Sequence, residues 1–158
     1  MTEIIEPINA SINVNVAPGD AFIAFTEHFQ SWWPMAYTLS KEVLSEIGIE
    51  PSEGGFCFEK GPHGFRCDWG RVLQWSPAEA LRFTWQLDAN SAPQPNPDMA
   101  SEVSVHFNKN EDGTTRVALD HENLERHGAC AAQYRDELAS EYGWPYLLQQ
   151  YQNFVNNQ

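Results

Sequence analysis

The chain has 158 residues, enough for one domain with a single core, and 42% apolar content with 13% aromatics, six tryptophans among them, is ample to fill it. Nine basic against 22 acidic residues leave a net charge of −13, which repels phosphate backbones and anionic headgroups and disfavours nucleic-acid and membrane-surface roles. No run approaches the roughly 20 apolar residues that span a bilayer, and the acidic opening Met1-Thr2-Glu3-Ile4-Ile5-Glu6 lacks a signal-peptide pattern, so a cytoplasmic location is expected.

Ile8, Ala10, Ile12, Val14 and Val16 alternate with polar residues, which predicts a strand with one wet face. Ala17-Pro18-Gly19-Asp20 breaks it. From Asp20 to about Gln30 the pattern turns helical, with Ala21, Phe22, Phe25 and Phe29 on one side and Asp20 as the expected N-cap. Pro34 stops whatever carries Trp32 and Trp33, and 31–45 reads as a loop with a short helix.

Strands are expected at 46–50, 56–60, 66–75 and 81–87, divided by the turn signals Pro51-Ser52-Glu53-Gly54-Gly55, Gly61-Pro62-His63-Gly64 and Ser76-Pro77-Ala78-Glu79. Strict alternation in the longest puts Cys67, Trp69, Arg71, Leu73 and Trp75 on one face. The stretch 88–99, with Pro93, Pro95 and Pro97, reads as a stiff exposed loop. Strands resume at Val103–Phe107 and, after Glu111-Asp112-Gly113, at Val117–His121. Residues 129–142 are alanine-rich and helix-prone.

The end of the chain carries the strongest period. Trp144, Leu147, Leu148, Tyr151, Phe154 and Val155 share one helical face opposite Gln149, Gln150, Gln152, Asn153 and Asn156, and Gly143 with Pro145 marks the start. One long helix across one antiparallel sheet makes a single α+β domain, 1–158, with its core at about 8–155. A curved sheet leaves space under such a helix, and that space, lined by aromatics from both, is the expected ligand site.

For chemistry the inventory is short. His121 shares an apolar face with Val117 and Leu119; it reads either as a general base near neutral pH or as a hydrogen-bonded histidine at a strand end. Arg71 is either paired, with Glu59 as candidate, or at the cavity mouth facing an anionic ligand. The histidines form no HxH or HExxH pair, so no metal is expected, and with no GxSxG, phosphate-loop or dinucleotide fingerprint no cofactor is expected either. Cys57, Cys67 and Cys130 show no CxxC spacing and are expected to be free thiols.

Val16-Ala17-Pro18, Ala21-Phe22, Phe25-Thr26 and Trp32-Trp33-Pro34 open a series that continues through Glu50-Pro51, Gly54-Gly55, Glu59 and Trp69-Gly70-Arg71-Val72. Trp75-Ser76-Pro77, Leu81, Phe83-Thr84-Trp85, Glu102-Val103, Thr115 to Leu119, His121 and Gly143-Trp144 complete it. In order and spacing the series resembles the START-like (helix-grip, SRPBCC) superfamily, specifically bacterial homologues of the activator of heat-shock protein 90 ATPase. The resemblance implies a curved antiparallel sheet of about six to seven strands wrapped around a long C-terminal helix, with an internal apolar cavity. It also implies three functional expectations: a binder of a small hydrophobic or aromatic molecule, a polyketide cyclase- or hydrolase-like enzyme with His121 as its catalytic candidate, or a co-chaperone with a chaperone partner. Trp33, Trp69, Arg71, Phe83, Trp85, Leu148 and Tyr151 are the expected ligand contacts, and Trp144 is expected to anchor the terminal helix in the core.

Overall fold

The computed structural model describes residues 4–157. Its sheet comprises β1 (Ile8–Val14), β2 (Glu46–Ile49), β3 (Phe56–Lys60), β4 (Arg66–Ser76), β5 (Ala80–Trp85), β6 (Ser101–Lys109) and β7 (Thr115–Glu122). The order is β1-β7-β6-β5-β4-β3-β2, antiparallel throughout. Each strand from β2 to β6 therefore pairs with its successor, β5 and β6 across the long loop 86–100 and the others across shorter connections, and β1 returns to pair with β7 from Ile8↔His121 to Val14↔Thr115.

Among the described residues four α-helices pack on the inner face: α1 (Pro18–Thr26), α2 (Phe29–Trp32), α3 (Ala131–Ala139) and α4 (Trp144–Asn156). The terminal helix buries Trp144, Leu147, Leu148, Tyr151 and Val155 against the sheet and leaves Gln149 and Asn153 in water. The Tyr151 hydroxyl donates to the Ala21 carbonyl at 2.7 Å and so pins α4 to α1. Phe25 makes edge contacts with both Phe107 and Tyr151, joining sheet, α1 and α4 in one aromatic core. This is the helix-grip arrangement.

The first helix differs from the sequence reading at both ends. Ala17 occupies the N-cap in extended conformation and Pro18 takes the first turn, where its missing N–H costs nothing; Asp20 lies inside that turn and caps nothing. The helix stops at Thr26, and Phe29–Trp32 forms a separate turn.

β4 departs further. Its register slips against β3 between Cys57↔Gly70 and Phe58↔Asp68, and against β5 between Val72↔Phe83 and Gln74↔Arg82. Each bulge inserts one residue and inverts the parity of all that follows. Cys67 and Trp69 are buried as alternation requires, but the inward position then passes to Val72, and Arg71 and Leu73 face solvent. Gly70 makes the first bulge feasible, because a Cβ there would run into the Thr84 carbonyl. Among the described residues no helix is long and apolar enough to cross a membrane, and no group of three His, Cys, Asp or Glu is placed to hold a metal ion.

Candidate functional site

A cavity of about 620 Å³ opens between one end of the inner sheet face and the turn from α3 into α4. Trp69 on β4, Trp85 on β5, Trp33 after α2, Ile47 on β2 and Leu147 on α4 supply its apolar wall. The segment 36–41, the loop 89–91 and the side of α3 bearing Tyr134 and Glu137 form its rim. Trp33 and Trp69 lie almost parallel, 17° apart with centroids at 6.3 Å, and both stack on Phe29 behind them at 4.7 and 5.6 Å. Trp85 stands across this pair, at 52° to Trp33 and 68° to Trp69. The result is a slot with flat aromatic walls, suited to burying and stacking a planar apolar ligand.

Two polar devices hold the slot open. The buried Glu59 carboxylate accepts the Leu39 and Ser40 N–H groups at 2.9 and 2.6 Å and the Ser40 hydroxyl at 2.7 Å, clamping the 36–41 segment onto β3. Three donors satisfy the charge that burial would otherwise penalise. On the other side, the Tyr134 hydroxyl accepts the Trp85 indole N–H at 2.6 Å and donates to the Leu87 carbonyl at 3.0 Å, tying α3 to β5. Burial pushes Tyr134 up to about 12, so it stays a neutral phenol.

His121 is fully buried and does not line the slot; it packs edge-on against the wall residue Trp85, with ring centroids 5.7 Å apart, and its nitrogens belong to a separate chain of hydrogen bonds. The Trp144 indole donates to His121 Nδ1 at 2.9 Å, so the ring proton belongs on Nε2, which donates to Ser101 Oγ at 2.6 Å. The Ser101 hydroxyl must then donate onward to His127 Nε2, also at 2.6 Å. Both nitrogens of His121 are committed, and among the described residues no carboxylate hydrogen-bonds to it. Ser101 is itself fully buried, which removes it as a nucleophile.

The sequence matches the Activator of Hsp90 ATPase homolog 1-like protein family over residues 15–155. The chain belongs to this family. No curated protein matches it by sequence. Among solved structures, the anthrahydroquino-gamma-pyrone synthase Txn09 is 33% identical, with 98% of this chain and 100% of that chain covered and a TM-score of 0.67. The self-sacrificing resistance protein CalC from Micromonospora echinospora is 26% identical, with 96% and 94% covered and a TM-score of 0.70. The Aha1 dimer from Colwellia psychrerythraea, at 17% identity, 96% and 97% covered and a TM-score of 0.61, shares the fold alone.

In this family member the expected contacts divide into three groups. Trp33, Trp69 and Trp85 come together on the cavity wall. Phe83, Leu148 and Tyr151 are buried in the core behind it, Tyr151 held by its bond to α1; on α4 it is Leu147, one residue earlier, that faces the cavity. Arg71 is on the opposite face of the sheet, its guanidinium 4.4 Å from the Phe56 ring centroid, where it neither pairs with Glu59 nor reaches the cavity. The bulge at Gly70 is the cause. Trp144 is the core anchor that the sequence suggests, with the bond to His121 added. Cys57 and Cys67 are buried free thiols, and burial pushes Cys67 up to about 11.

Sequence reasoning passed over Glu59, Tyr134, Leu87, Leu147 and Gly143 as parts of the site. A signal existed for Glu59, a charge on the inward parity of a strand next to Cys57. Tyr134 and Leu87 meet across 47 positions of sequence, and no local pattern encodes that.

Proposed function

We propose that this protein binds a small, mostly hydrophobic or aromatic molecule in the cavity between the sheet and the start of the C-terminal helix. The observation that carries the reading is the 620 Å³ slot walled by Trp33, Trp69 and Trp85. Six tryptophans do not fill the interior: a space large enough for a polycyclic ligand is left beside three of them. Burial of apolar ligand surface at roughly 25 cal/mol per Å² supplies the driving force.

The test is native mass spectrometry of freshly purified protein with organic extraction of what it retains, followed by titration of the ligand found. A discrete bound mass is expected. Leu147→Trp, which fills the slot from α4, is expected to weaken binding at least about tenfold, equivalent to about 1.4 kcal/mol of lost contact. An apo mass, with no thermal shift across a panel of aromatic compounds and lipids, would refute the proposal.

A second reading is a cyclase-like enzyme working in the same cavity. Its support is the 33% identity to a synthase along nearly the whole chain. Proton transfer on that reading falls to the cavity-lining groups Glu137 and Lys41, since Glu59 and Tyr134 are committed to holding the walls, and not to His121. Turnover should therefore survive His121→Gln in any variant that still folds. An activity whose pH profile disappears with that substitution would contradict this assignment.

A further inference from the structure

A second hollow, of about 350 Å³, lies on the outer side of β3 and β4, where the proline-rich segment 93–97 folds against them. Phe56, the exposed Phe65 and three prolines give it apolar walls. Its charged side chains are Arg66, Asp68 and Arg71. The bulge that removes Arg71 from the tryptophan slot is what delivers it here.

The two arginines are not equivalent. Arg66 donates through Nε to the Asp68 carboxylate at 2.9 Å. Arg71 makes no ion pair and no side-chain hydrogen bond among the described residues, on a chain with 22 acidic residues to choose from. Its guanidinium lies over the Phe56 ring, 4.4 Å from the centroid, and that of Arg66 stands 5.9 Å from the same centroid. Stacking uses the flat face of a guanidinium and leaves its edge N–H groups free. The Gln86 amide on the same wall is committed, accepting from Thr84 and donating to the Gln94 carbonyl.

Two guanidiniums against one carboxylate leave the hollow one positive charge in excess, while Asp68 opposes a second negative charge on anything that enters. The net charge of −13 repels anions at a distance, so an anion held here must gain by contact as well as by charge. Phe65 and the prolines supply that contact to an apolar body. We infer that this hollow is a second binding site, for a small monoanionic carboxylate on an apolar ring, and that the carboxylate pairs two-pronged with the free edge of Arg71. The inference does not depend on the slot holding a ligand.

The test follows the backbone amide signals of Asp68 and Arg71 by nuclear magnetic resonance while 2-naphthoate, or its neutral counterpart 2-naphthamide, is titrated into the protein. The indole signals of Trp33 and Trp85 report the slot in the same spectra. In wild type the Asp68 and Arg71 amides should give an affinity for the carboxylate at least about fivefold above that for the amide, as one partly exposed charged pair supplies. Arg71→Gln should abolish that preference and change amide affinity by less than about twofold. Arg71→Lys, which keeps the charge without the planar fork, should recover only part of it. Equal affinities in wild type, or a preference that survives Arg71→Gln, overturns the inference. Shifts confined to the slot indoles with either probe overturn it as well and leave the slot standing as a ligand site.

Discussion

Acidification from pH 7 to 4.5 is expected to cost the wild-type protein roughly 2 to 3 kcal/mol of folding stability through His121, at up to about 1.4 kcal/mol per pH unit once the unfolded histidine is protonated. Burial lowers His121 to about 3, and neighbouring His127 adds to the effect. The unfolded chain takes up this proton below about 6.5, as an ordinary histidine does, whereas the folded protein refuses it until far lower pH. The stabilisation is therefore complete above about 6.5 and is lost steadily as the pH falls toward 3.

Geometry gives the same sign. A proton on Nδ1 of His121 would confront the indole N–H of Trp144, and one donor would be left facing another. His127, also lowered by burial, is the acceptor at the far end of the chain, so its protonation would take from Ser101 the acceptor of its hydroxyl. His121→Gln tests this directly, since the amide offers one acceptor to Trp144 and one donor to Ser101 but nothing that titrates. Urea unfolding at pH 7, 5.5 and 4.5 should give a variant less stable than wild type at pH 7 but flatter with pH by about one proton's worth. Parallel curves would show that His121 is not the group responsible.

How far the fold could be read in advance depended on whether a feature was local. Seven alternating stretches, their turn residues and the 3.6-residue period of 144–155 each encode their own element, and hairpin succession does the rest. What alternation cannot reveal is a bulge, because one inserted residue leaves the composition of the strand unchanged. Alternation alone therefore puts Arg71 and Leu73 on the inner face, although Gly70 beside them marks a close backbone approach. The same limit applies on α4, where a shared apolar face did not distinguish Leu147 at the cavity from Leu148 in the packed core. His121 was legible as a histidine on an apolar face. Its partners were not, since Ser101 and Trp144 arrive from β6 and α4, 20 and 23 positions away.

Gly143→Ala is expected to cost about 3 kcal/mol or more, at the upper end of what overpacking a core position does, because the clash is with backbone. Gly143 sits in the turn that joins α3 to α4, its N–H donating to the Ser140 carbonyl at 2.9 Å and its carbonyl accepting the Leu147 N–H at 3.0 Å. A Cβ would collide with the Leu138 carbonyl group and stand 2.7 Å from the Glu137 oxygen. Neither can rotate away as a flexible side chain could; relief requires moving the end of α3 against the start of α4. Trp144 follows at once in sequence, so that movement would also disturb its bond to His121, and Gly143 and Leu147 both line the cavity. Stability and ligand retention should therefore fall together, measured by urea denaturation and by the mass of the native protein. Gly19→Ala is the control: nothing lies within 4 Å of its Cβ position inside α1, and there the added methyl should be neutral or stabilising by up to about 1 kcal/mol. Equal effects at the two glycines would mean that the α3–α4 turn has slack, and that the cavity wall it supports can adjust to what enters.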